Sequence, residues 1–157
     1  MRIGFGFDTH RLEEGCPLWL GGIQVPHTHG SVGHSDADVL IHAICDALLG
    51  AAALRDIGFH FPDTDPEFSG IDSKILLRRT VQMVMDKSLL IGNIDCTIVL
   101  QQPKISKFIP DMIGTLAGVL EIEESSISVK AKTSEKLGFI GREEGVSAYA
   151  VVLLNTV

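Results

Sequence analysis

The run from Ser35 to Leu54, SDADVLIHAICDALLGAAAL, constrains the fold more than any other stretch, because it is long and apolar enough to demand cover. At 3.6 residues per turn it makes about five turns of helix. Leu40, Ile41, Ile44, Ala47 and Leu48 fall on one side of that helix, so the rest of the chain must supply an apolar surface to bury them. His34, Asp38, His42 and Asp46 recur every four residues and stack on another face. The spacing predicts a helix from near Asp36 to near Ala53, with Ser35-x-x-Asp38 as a capping box. Histidine and aspartate are poorer helix formers than glutamate, lysine or arginine, so a face built from them points to work beyond keeping the helix wet.

The cover is legible in alternating segments. RIGFGFD places Ile3, Phe5 and Phe7 against small residues and reads as a strand. PLWLGGIQVP reads as two short strands around Gly21-Gly22. A second helix is predicted from Ser73 to about Lys87, and a third within 105–121, where Pro110 fits only near the first turn. NIDCTIVLQ, SISVKAKTS and VSAYAVVLLN alternate as three more strands. DIGFHFPDTDPEFSG, 56–70, is too rich in Pro, Gly and Asp for a regular element, and a loop that long usually serves a function. Without a strict βαβ repeat, the reading is one α+β domain over 1–157, with a mixed sheet and helices packed on one face.

Charge and cysteine content narrow the function. A net charge of −7 argues against a nucleic-acid partner, whose phosphates need a basic patch. Cys16, Cys45 and Cys96 form no C-x-x-C pair and fit a reducing compartment. No apolar run approaches a membrane span, and MRIGFGFDTH is not a signal peptide, so a cytoplasmic protein is expected.

Two clusters can carry chemistry. Asp8 and His10, two apart at a strand end, share one side of the strand. With His42 they offer one carboxylate and two imidazoles, a set that suits Zn²⁺ with an open fourth position and equally Mn²⁺ or Fe²⁺. Alone, Asp8-x-His10 also fits a turn aspartate beside a solvated histidine. The second cluster, KAKTSEKLGFIGR at 130–142, brings cations and hydroxyls that suit phosphate, and Glu135 suits a hard divalent cation beside it. By itself it also fits a charged hairpin turn. It lacks the Walker A spacing, and Gly4-Phe5-Gly6 lacks the dinucleotide fingerprint. His27, His29 and His60 have no comparable company and read as surface or loop histidines.

Taken together, RIGFGFDTHRL, GHSDADVLIHAICDALLGAA, DIGFHFPDTDP, GNIDCTIVLQQPKI and VKAKTSEKLGFIGR resemble the 2-C-methyl-D-erythritol 2,4-cyclodiphosphate synthase family, in its order and spacing from residue 2 to 142. The resemblance implies an intramolecular phosphoryl transfer of the non-mevalonate isoprenoid pathway, in which a cytidine diphosphate substrate closes a cyclic diphosphate and releases CMP. It implies Zn²⁺ on Asp8, His10 and His42, and a second divalent ion, Mg²⁺ or Mn²⁺, at the diphosphate beside Glu135. His34 and Thr133 match positions that stabilise the transition state. Thr9 and Ser35 match further substrate contacts. Asp56, Ile57 and Gly58 match a grip on the methylerythritol part, and Phe61, Pro62, Asp63, Thr64 and Asp65 a mobile flap. Leu100, Pro103, Lys104, Ile105 and Ser106, with Lys132, Thr133, Ser134 and Glu135, match a cytidine pocket supplied by a neighbouring subunit.

The family implies a homotrimer with its sheets facing the trimer axis and active sites at the interfaces. Phe139 and Arg142 match the lining of a central channel for isoprenoid diphosphates. Asp38 and Asp46, at i±4 from His42, stand where carboxylates could orient that ligand; this follows from helix spacing rather than from the family. Phe5 stands where the family often has His, and Lys132 where it often has a small hydroxyl residue. Two rivals stand beside this reading: a metal-dependent phosphohydrolase on the same ligands, giving a linear product, and a trimeric sensor of isoprenoid diphosphates through Phe139 and Arg142, for which Asp8, His10 and His42 are dispensable.

Overall fold

The structure, a computed structural model, describes residues 1–156. Its elements are β1 (Arg2–Glu14), β2 (Leu18–Leu20), β3 (Ile23–Val25), β4 (His29–Val32), α1 (Val39–Ala51), α2 (Ile57–His60), α3 (Ser73–Met85), β5 (Leu89–Val99), α4 (Ile109–Leu120), β6 (Ile127–Lys132), α5 (Gly138–Gly141) and β7 (Gly145–Thr156). Five strands form one mixed sheet in the order β4-β1-β7-β5-β6, and β2 and β3 pair as a separate hairpin. Among the described residues only β5 and β6 run parallel, and α4 makes the crossover that a parallel pair needs. The α+β reading with a mixed sheet therefore holds. No helix among the described residues is long and apolar enough to cross a membrane.

Helix α1 is the centre of the molecule, with Leu40, Ile41, Ile44, Cys45, Leu48 and Leu49 fully buried. It lies against β1 closer than side chains would permit. A Cβ at Gly6 would stand 1.9 Å from the Ala43 carbonyl oxygen, and one at Gly4 1.9 Å from that of Ala47. The glycines let the helix backbone rest on the strand, which holds Asp8 and His10 beside His42.

That packing reverses the simple sense of the β1 alternation. The glycine side faces the core, whereas Ile3, Phe5 and Phe7 lie on the other face at 73%, 63% and 48% exposure. Phe7 there meets exposed Tyr149 of β7, ring centroids 5.2 Å apart. The sheet thus carries an apolar outer face opposite α1.

Three boundaries differ from the sequence reading. Helix α1 begins at Val39, not near Asp36, because Ala37 has φ 58° and cannot continue a right-handed helix. Its N-cap is Asp38, whose carboxylate accepts from the Ile41 N–H, so Ser35 and Asp38 do not form a capping box. The 56–70 stretch holds the short α2 and a 3₁₀ turn at Pro66–Phe68, each capped by an aspartate, Asp56 and Asp65. His29 lies in β4, a short edge strand paired with β1, rather than in a loop.

Candidate metal and phosphate site

Asp8 and His10 reach the core side of β1 at the level where α1 presents His42. The Asp8 Oδ2, His10 Nε2 and His42 Nδ1 atoms form a nearly equilateral triangle, 2.9 Å, 3.0 Å and 3.0 Å on its sides. A tetrahedral ion with donors at 2.0–2.1 Å needs them about 3.3 Å apart, so the triangle fits a divalent ion with little adjustment. With their lone pairs turned inwards, the three groups could hold a metal ion at that point. Burial alone would raise the Asp8 pKa, but hydrogen bonds and charge from His10 and His42 outweigh it and hold the carboxyl far below its ordinary range. Burial would lower that of His10, and the Asp8 partner reverses this, so it lies above 6.5.

The outer nitrogens of both rings are also engaged. His10 Nδ1 donates to the Val32 carbonyl of β4 at 3.1 Å, which turns the Nε2 lone pair towards the triangle. His42 Nε2 lies 3.0 Å from the hydroxyls of both Ser35 and Ser73.

The triangle opens onto a cavity of about 440 Å³ that Asp8, His10, His34, Ser35, His42, Asp46, Ile57, Gly58, Phe61, Asp63, Phe68 and Leu76 help to line. Phe61 and Phe68 stack edge to face at its apolar end, centroids 5.4 Å apart. Asp46 accepts from the Ile57 N–H at 2.7 Å and so ties α2 to α1. A smaller cavity of about 130 Å³ lies at the ends of β5 and β6 between Leu100, Pro103, Lys104, Ile105, Ser106, Ala131, Lys132 and Thr133. Beside it, Thr133 donates to Glu135 at 3.1 Å in a turn where Glu135 and Lys136 both take left-handed backbone, φ 54° and 64°. The two cavities share no lining residue.

A sequence profile of the YgbB family matches residues 1–155. The chain belongs to the YgbB family. It is 65% identical over 153 residues to the 2-C-methyl-D-erythritol 2,4-cyclodiphosphate synthase of Porphyromonas gingivalis, covering 98% of this chain and 94% of the relative. It is 60% identical over 157 residues to the enzyme of that name from Bacteroides fragilis, covering 100% and 99%. Among solved structures, the bifunctional IspDF of Campylobacter jejuni superimposes with a TM-score of 0.96 at 43% identity; the match covers 99% of this chain but 42% of that longer one. A 2C-methyl-D-erythritol-2,4-cyclodiphosphate synthase in a CDP-bound form superimposes with a TM-score of 0.91 at 39% identity, covering 98% of this chain and all of the other.

The sequence-derived site divides between the two cavities of this YgbB chain. Asp8, His10, His42, His34, Ser35, Ile57, Gly58, Phe61 and Asp63 meet at the first, and Leu100, Pro103, Lys104, Ile105, Ser106, Lys132 and Thr133 at the second. His34 is not on the helix face that spacing assigned to it. It precedes α1 and donates from Nε2 to the Asp65 carbonyl at 3.1 Å, which anchors the 61–65 segment. Thr9 points to the opposite side of β1, its hydroxyl 2.7 Å from that of Ser147. Ser134 bonds the Leu137 carbonyl at 2.7 Å. Phe139 is 41% exposed, and the Arg142 guanidinium pairs with both carboxylate oxygens of Glu144 at 2.9 and 3.0 Å.

Helix spacing misassigned the carboxylates around His42. Asp38 is fully buried and its carboxylate accepts from Gly21 and Gly22 at 3.0 and 2.7 Å as well as from Ile41, so it ties the β2–β3 turn to the start of α1, and its only bond to His42 is the backbone one, carbonyl from N–H at 3.1 Å. Its pKa is raised by burial. Sequence reasoning missed Ser73 and Asp36, which reach His42 only through tertiary contact, and no local pattern marks them. Cys45 and Cys96 are buried thiols pushed up to about 12 by desolvation, so neither serves as a nucleophile.

Proposed function

We infer that the chain converts 4-diphosphocytidyl-2-C-methyl-D-erythritol 2-phosphate into 2-C-methyl-D-erythritol 2,4-cyclodiphosphate and CMP. The observation that carries this is the convergence of Asp8, His10 and His42 at the mouth of a cavity, in a chain 65% identical to a synthase of that name. A divalent ion held by those three residues, read as Zn²⁺, would neutralise phosphate charge as a Lewis acid. The 2-phosphate must attack the β-phosphorus of the same molecule, so the protein's task is to hold two anions aligned and shielded from water.

The chain's own residues fit that task. Ser35 stands at the cavity with a hydroxyl for a phosphate oxygen, and His34 joins the 61–65 flap to the cavity rim. Asp56 caps α2 and, with Ile57 and Gly58, gives polar edges suited to the hydroxyls of the methylerythritol part. Phe61 and Phe68 supply an apolar wall against water. Lys132, Thr133 and Glu135, beside Leu100–Ser106, suit cytidine and its diphosphate with a second ion, Mg²⁺ or Mn²⁺.

Because the two cavities share no lining residue, a complete site fits a trimer in which one subunit's cytidine pocket faces its neighbour's metal triangle. The exposed Ile3, Phe5, Phe7, Tyr149 and Val151 give the sheet an apolar face for such an assembly about an axis. A sensor has no use for a metal triad, so the convergence of Asp8, His10 and His42 disfavours the sensor reading. Three free cysteines fit a cytoplasmic setting.

Turnover in ¹⁸O-labelled water separates the cyclase from a phosphohydrolase on the same ligands. Cyclisation leaves both CMP and the diphosphate product unlabelled, since no water enters. One ¹⁸O per turnover in either product would make the chain a hydrolase.

A further inference from the structure

The three hydroxyl and carboxylate groups behind His42 form an ordered chain whose proton positions are set by chemistry. Asp36 can only accept when ionised. Its Oδ2 takes the Ser73 N–H at 2.9 Å, and its Oδ1 takes the Asp38 N–H at 3.2 Å and the Ser73 hydroxyl. The Asp36 N–H in turn donates to the Ile71 carbonyl at 3.0 Å, so the residue is fixed from both sides. The Ser73 hydroxyl is completely buried and has spent its one proton on Asp36. Towards His42 Nε2, 3.0 Å away, it can only accept.

We propose that Ser73 and Asp36 are positioning residues that hold His42 as the Nε2–H tautomer, with the Nδ1 lone pair aimed at the metal position between Asp8 and His10. Without them the opposite tautomer has an attraction of its own. Asp8 Oδ2 lies 3.0 Å from His42 Nδ1, and a proton on Nδ1 would bond to it and occupy the position a metal needs. The two acceptors therefore compete for a single ring proton, and the Ser73–Asp36 pair draws it to the outer nitrogen. Ser35 does not duplicate this role. Its oxygen already accepts from the Ala37 N–H at 3.1 Å and lies 3.0 Å from His42 Nε2, but no carboxylate fixes its own proton. Once Ser73 takes the imidazole proton, the Ser35 hydroxyl can donate to the Ser73 oxygen, 3.4 Å away, or into the cavity.

The inference rests on the metal-site reading, and the test keeps the two apart. Ser73→Ala removes the relay alone: the residue 73 N–H still holds Asp36, and alanine suits the first position of α3. In chelator-stripped protein at alkaline pH, nitrogen-15 NMR of the imidazoles should show His42 as Nε2–H in the parent chain and a shift towards Nδ1–H in Ser73→Ala. Zinc affinity by competition with a chromophoric chelator should fall about 10- to 100-fold, the usual cost of losing such a partner. Asp36→Ala, which leaves the serine in place but removes the acceptor of its proton, should move both readouts the same way. An unchanged tautomer and unchanged zinc affinity in Ser73→Ala would overturn the proposal. If the parent chain and His42→Ala bind zinc alike, the metal-site reading fails instead.

Discussion

Replacing Gly6 with alanine should damage the metal site through the backbone, although Gly6 touches no ligand. The new Cβ would lie 1.9 Å from the Ala43 carbonyl oxygen and 2.6 Å from the Ala47 nitrogen, both main-chain atoms of α1 that cannot swing aside. Ordinary contact begins near 3.4 Å, so helix and strand must part by about 1.5 Å. Ala43 follows His42 and Gly6 precedes Asp8 by two residues, so the parting falls on the triangle. Its 3.0 Å edges between His42 and the β1 ligands would open towards 4.5 Å, beyond the roughly 3.3 Å a tetrahedral zinc spans.

Overpacking of this kind costs about 1–3 kcal/mol, which at this chain length lowers Tm by roughly 3–10 °C. Losing reach to one of three ligands should cost zinc affinity more than the ~100-fold that an outer partner costs. The assay is chelator competition alongside thermal melts, with Gly50→Ala as control. Gly50 lies in α1 with open space around its Cβ position, so that variant should gain about 0.5–1 kcal/mol and bind zinc normally. Gly6→Ala protein that melts and binds zinc like the parent would refute the claim that strand–helix contact sets the triangle.

Asp38→Ala should destabilise the fold by about 3 kcal/mol, read as a urea midpoint, because the buried N–H groups of Gly21, Gly22 and Ile41 lose their acceptor together; a change below ~1 kcal/mol would contradict this. Thr133→Ala should lower turnover at least 10-fold with zinc content unchanged, and loss of assembly mass instead would make Thr133 structural. The His10 pKa, which burial would lower, is raised above 6.5 by Asp8, so in chelator-stripped protein its stabilising proton is fully present below 6.5 and is lost as pH rises through the folded value. Stripped protein should therefore lose stability over that window while zinc-loaded protein does not, and zinc affinity should climb across it. Parallel pH curves for the two forms would contradict the assignment.

What was legible in the sequence was what depends on neighbours along the chain. The strand period placed Asp8 and His10 on one side of β1, and the Gly21-Gly22 turn and the Ser73 helix appear where the pattern put them. What failed depended on contacts distant in sequence. His34 spaces correctly with His42, yet left-handed Ala37 ends the helix between them. Asp38 spaces correctly too, but the β2–β3 turn claims its carboxylate. Ile3, Phe5 and Phe7 read as an apolar face of a strand, but only the contact of Gly4 and Gly6 with the helix places that face away from the core. Ser73 sits 31 residues from His42, and only the folded chain joins them.

The central claim is tested most directly by phosphorus NMR of the purified protein with 4-diphosphocytidyl-2-C-methyl-D-erythritol 2-phosphate, Zn²⁺ and Mg²⁺. The account predicts CMP together with two mutually coupled phosphorus signals of a cyclic diphosphate, and neither with His42→Ala. Unchanged substrate with zinc bound, or CMP accompanied by a linear diphosphate, would contradict it.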